Sequence, residues 1–112
     1  MVDAASPLVL VLTTFPADGD AEVVARKLVE ERLVACVNIF PVMDSLYRWK
    51  GKIDQSRERQ VVMKTAQDRV DELTRRLEEL HPFEVPELLV VPVSGGGDRY
   101  LAWIRECVGS EI

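Results

Sequence analysis

The chain has 112 residues, 47% of them apolar and 29% charged, with a formal net charge of −5. That length suits one domain with a single modest core, and the balance is that of an ordinary folded protein, neither disordered nor membrane-like. The acidic surplus and the lack of clustered Lys/Arg argue against a phosphate-neutralising nucleic-acid surface and leave room only for a local basic patch.

Near the start, Leu8–Leu12 is apolar but far too short to span a bilayer, and Asp3 stands where a secretory signal would carry positive charge. The expected location is the cytoplasm, with no membrane partner. Two cysteines, Cys36 and Cys107, make a poor disulfide scaffold and are expected as free thiols.

Residues 8–14 form a continuous apolar, β-branched run closed by Phe15-Pro16, which predicts a central strand. Asp18 and Asp20 supply N-cap candidates for a helix whose apolar stripe is Ala21, Val24, Ala25 and Leu28, ending near Arg32. Residues 34–49 and 53–65 read as two long strands around Lys50-Gly51-Lys52, a hairpin connection. The polar stretch 54–60 predicts that this arm projects beyond the core. Thr65 to Asp68 approximates a capping box, and Val70, Leu73, Leu77 and Leu80 continue with helical spacing until Pro82 stops the helix. A fourth strand is predicted at 88–91, where Pro92 points to an edge or a bulge. After Gly95–Gly97, a short amphipathic helix carries Tyr100, Leu101, Trp103 and Ile104 and closes at Gly109.

The order βαββαβ plus a terminal helix is the α+β, ferredoxin-like sandwich with a long β2–β3 hairpin. Crossover handedness places both long helices on one sheet face. The other face then needs a cover, and self-association into a homo-oligomer supplies it.

Several residues carry chemistry. Cys36 is either a buried structural thiol or a soft-metal ligand suited to copper; two cysteines and one histidine give no zinc-finger spacing. His81, before Pro82, sits at a helix C-terminus that favours a cationic imidazole, with Glu84 and Glu87 close enough in sequence to form a His/carboxylate cluster. Ser94 to Asp98 lacks either nucleotide fingerprint and reads as a turn. In the hairpin, Ser45, Tyr47 and Trp49 share one face, as do Glu58, Gln60, Val62 and Lys64 on the return strand. The aromatic pair suits an interface anchor or a ligand-stacking wall. Lys64 is expected to pair with Glu58 or to bind an anion in a cleft. No nucleophile, base and orienting group assemble, so no enzyme is predicted.

The ordered motifs Ala35-Cys-Val-Asn-Ile39, Ser45-x-Tyr47-x-Trp49-x-Gly51, Glu58, Lys64-Thr65, His81-Pro-Phe-Glu-Val-Pro-Glu87 and Tyr100-x-x-Trp103 strongly resemble the CutA family, the divalent-cation tolerance proteins. The resemblance implies a homotrimer similar in architecture to the PII signalling proteins, a role in the response to metal ions, and copper or another divalent metal ion as cofactor. Cys36 and His81 are the metal candidates it carries over. Relatives with a doubled histidine before the proline differ from this chain, which has Leu80 there. A PII-like signalling trimer is the alternative, with a ligand-binding cleft between subunits at Tyr47, Trp49, Glu58, Lys64, Glu87, Tyr100 and Trp103.

Overall fold

A computed structural model describes residues 6–109. In chain order the elements are β1 (Leu8–Pro16), α1 (Ala21–Glu30), β2 (Cys36–Trp49), β3 (Lys52–Ala66), a 3-10 turn (Gln67–Arg69), α2 (Val70–Leu80), β4 (Leu89–Pro92) and α3 (Asp98–Val108). The four strands form an antiparallel sheet in the order β2-β3-β1-β4. The expected α+β arrangement is therefore present, and Pro92 does lie on an edge strand, where a missing N–H is tolerated.

Alternation along β1 divides the sheet into two unlike faces. Val9, Val11 and Phe15 meet Val61 and Met63 of β3 under the two long helices. Helical spacing brings Val24 and Leu28 of α1, and Leu73 and Leu77 of α2, down onto that layer. Each such side chain contributes roughly 1.5–3 kcal/mol of burial. α1 ends where Arg32 takes a left-handed φ of 60°. The Leu33 N–H then donates to the Leu28 carbonyl and the Arg32 N–H to the Val29 carbonyl, both at 3.1 Å, a Schellman closure built without glycine. Across the helix pair, the Arg76 guanidinium forks onto Glu31 at 2.8 and 2.9 Å. That contact holds the Glu31 carboxyl below its ordinary range.

On the second face the expectation of a bare surface needs correcting. α3 covers one end, where Leu8, Ala35, Ala66, Ile104 and Val108 make a separate apolar cluster. Only the middle strip stays open: Leu10, Leu12 and Val62 are half-buried, and the paired β4 residues Leu89 and Val91 are exposed. Gly96 serves this docking, since a Cβ there would come within 3.2 Å of Leu101.

The hairpin arm outruns the sheet. β1 pairs with β3 from Glu58 onward and the Ala17 N–H donates to the Arg57 carbonyl at 3.0 Å, so residues 52–56 are held by β2 alone. At about 3.3 Å per residue, that unsupported stretch is about 17 Å long. The radius of gyration, 14.9 Å, accordingly exceeds the roughly 13 Å of a compact chain this long. Lys50 and Gly51, with φ of 50° and 80°, close the tip in the left-handed pair that a two-residue hairpin requires.

Between Ile39 and Val42 the register slips, because Phe40 and Pro41 stand where β3 contributes only Gln60. Pro41 suits this bulge on an edge strand. Since side chains alternate with period two, the extra residue turns the odd-numbered side chains of β2 over: Val37 and Ile39 face the helices, whereas Met43, Ser45 and Tyr47 face the other side. The anticipated capping box does not form either. Thr65 is still strand, its hydroxyl donating to the Leu33 carbonyl at 2.8 Å, and no side chain caps the turn that leads into α2.

Candidate functional site

The bulge sets Tyr47 of β2 on the same face as Asp54, Ser56, Glu58 and Gln60 of β3. The loop after α2 folds toward that face, and together they enclose a pocket of about 610 Å³. Four carboxylates, Asp54, Glu58, Glu84 and Glu87, line it, and among the described residues no basic side chain does. Apolar walls come from Met43, Phe83, Val85 and Pro86. Tyr47 is fixed by a 2.6 Å hydrogen bond between its hydroxyl and that of Ser56. At the rim, Trp49 has the Lys50 ammonium 5.7 Å from its ring centre.

Gln60 positions one of the acids. Its amide donates to the Thr13 carbonyl and to Glu87 Oε2, both at 2.8 Å, which ties the loop to the sheet. Glu58 is different: it is 7% exposed, yet no hydrogen bond or ion pair reaches its carboxylate among the described residues. The pairing with Lys64 expected from the sequence is absent. Six residues of β3, about 20 Å, separate the two.

Lys64 instead belongs to the far end of the same face. Its ammonium donates to the Tyr100 hydroxyl at 3.1 Å and lies 5.5 Å from that ring's centre, and the hydroxyl holds the lysine pKa above its ordinary value. Tyr100 in turn stands 5.5 Å from Trp103. The cleft anticipated as one site is thus two stations within a subunit. Tyr47, Trp49, Glu58 and Glu87 form one, and Lys64, Tyr100 and Trp103 form the other.

The metal candidates are likewise apart. Cys36 pairs with Lys64, opposite Leu10, whereas His81 is bonded to Thr14, four residues or about 13 Å further along β1. Both ring nitrogens of His81 are engaged. The Phe83 N–H donates to Nδ1 at 3.0 Å, so the ring proton lies on Nε2, which donates to the Thr14 carbonyl at 2.6 Å. Phe15 and Phe83 flank the ring at 4.4 and 4.9 Å. Burial pushes its pKa below the ordinary 6.5, outweighing the Thr14 carbonyl and the Glu58 charge. The cationic imidazole expected at this helix end is therefore a neutral one. Among the described residues no three His, Cys, Asp or Glu side chains converge as a metal site, and Cys36 and Cys107 are free thiols.

Asp54 and Phe83 are pocket residues that the sequence did not single out, whereas Gln60 was placed beside Glu58 by alternation. Asp54 shares that alternation, so the strand carried a signal for it; Phe83 enters only through the loop's fold.

Comparison with known proteins bears on the whole chain. The family model for the CutA1 divalent ion tolerance protein matches residues 9–107. The divalent-cation tolerance protein CutA of Thermus thermophilus is 42% identical over 89% of this chain and 97% of its own. The chloroplastic protein CutA of Arabidopsis thaliana is 36% identical over 88% of this chain, which spans 54% of that longer relative. The crystal structure of CutA1 from Oryza sativa superposes with a TM-score of 0.89 at 32% identity, covering 95% of this chain and 97% of that one. The match runs from β1 into α3 and takes in the bulged arm, the pocket and the Lys64 station: this chain belongs to the CutA1 divalent ion tolerance protein family.

Proposed function

We propose that the protein acts as a homotrimeric binding protein, not an enzyme, in the response to divalent metal ions. The observation that carries this is the arm, a hairpin with Leu46 and Ile53 68% and 71% exposed and no sheet behind it. An isolated two-stranded ribbon is marginal in water, so neighbouring copies are the partners that would support it.

Copper contact would run through the Cys36 thiol, because sulfur ligands select soft ions, with further ligands from another copy. His81 would join only by releasing Thr14 and Phe83. Native mass spectrometry after copper loading tests this. Cys36→Ser should lose the metal and His81→Gln should keep it; a wild-type protein that retains no copper would remove the metal-binding role. The cytoplasm is the proposed location, since it keeps such thiols reduced.

A second reading has its own support. A pocket of this size falls in the range of small-ligand sites, which favours a PII-like trimer that binds a small ligand there. Its charge speaks against an anion, because four carboxylates line it.

A further inference from the structure

Resting on that second reading, we infer that the pocket beneath the arm takes a small organic cation, an ammonium or guanidinium head on an apolar body, with Glu58 as its charge partner and Glu87 as a second acceptor. Glu58 is the decisive residue. A carboxylate that faces a pocket with no donor from its own subunit keeps its acceptor positions for what enters there. Here the residue is 7% exposed and lines the pocket, its carboxylate oxygens are not among the fully buried side-chain atoms, and no donor from the described residues reaches them, so the acid is open to a ligand in the pocket.

Three further observations narrow the ligand. The pocket holds acids and no base, so an anion is repelled. Among the described residues no three metal-ligating side chains converge, and a hard divalent ion such as Ca²⁺ or Mg²⁺ wants six or more oxygens around it. Finally, the walls are Tyr47, Phe83, Val85 and Pro86, surfaces that accept a hydrocarbon body, and aromatic faces attract cations directly. Gln60 holds Glu87 ready, donating to it at 2.8 Å.

The test is an amide-resolved NMR titration of the intact protein with phenethylamine and agmatine, beside neutral 2-phenylethanol and anionic AMP at matched ionic strength. The amines should bind saturably and shift the Tyr47, Glu58 and Glu87 amides, with 2-phenylethanol at least tenfold weaker. Glu58→Gln should weaken the amines at least tenfold while the ligand-free variant melts no lower than wild type, since no hydrogen-bond or ion-pair partner among the described residues is lost. Glu87→Gln, which leaves the buried position intact, should weaken them by a smaller factor and serves if Glu58→Gln does not fold.

Saturable AMP binding without amine binding would overturn the inference and leave a small-ligand role standing. Silence from all four compounds would remove both. If Glu58→Gln lowers the melting temperature of the ligand-free protein and dissociates it, a neighbour's basic side chain already fills the site, and the inference fails.

Discussion

The helix-backed half of the sheet and the projecting arm are built on opposite terms. Under α1 and α2, Val11, Met63 and Leu73 are wholly buried and every strand has neighbours. In the arm, β2 and β3 have only each other, and Leu46 and Ile53 lie open. One half is stabilised by its own subunit. The other leaves its apolar groups open to solvent, and the pocket sits where the two regimes meet.

That contrast is broken most strongly from the packed side. Leu73→Ala should cost on the order of 2–5 kcal/mol, read from denaturant unfolding, because the cavity lies where helix and sheet interdigitate. A smaller change should go the other way. Thr13 is 1% exposed and its hydroxyl has no hydrogen-bond partner among the described residues, so Thr13→Val should gain on the order of 1 kcal/mol.

Smaller again is the pH dependence set by His81. Its folded pKa is depressed, so the unfolded chain binds the proton more readily. The contribution is fully present above about pH 6.5, the ordinary histidine value, and is lost as pH falls below it through the folded pKa. Unfolding at stepped pH should show that loss in wild type and not in His81→Gln. Least affected in its own fold should be a subunit carrying Leu46→Asp with Ile53→Asp, changed by no more than about 0.5 kcal/mol if the arm is a surface. Circular dichroism should then match wild type, while any larger fall in apparent stability would be concentration-dependent and report lost neighbours.

Much of this was legible in the sequence, for reasons that differ by residue. Val24, Leu28, Leu73 and Leu77 announced two helices because a stripe at helical spacing must face a core. Pro92 announced an edge because it cannot donate to a ladder. The shared sheet face of the site residues was legible, but their separation within one subunit was not. Glu58 and Lys64 share a face by alternation, yet a strand carries them about 20 Å apart. The meeting of Tyr47 with Glu58 depends on one extra residue at Phe40-Pro41, and a bulge is a long-range register decision that neither strand reveals alone. His81 looked cationic beside a helix end because local sequence shows the dipole; the Thr14 carbonyl, the Phe83 N–H and the flanking rings that make it neutral come from the fold.

The account stands on the arm being an assembly device. Native mass spectrometry of the wild-type protein and of the Leu46→Asp, Ile53→Asp variant tests it most directly. Wild type should show three times the 12.6 kDa chain mass and the variant predominantly the single chain. A wild-type protein that flies as a monomer, or a variant whose assembly is unchanged, would contradict it.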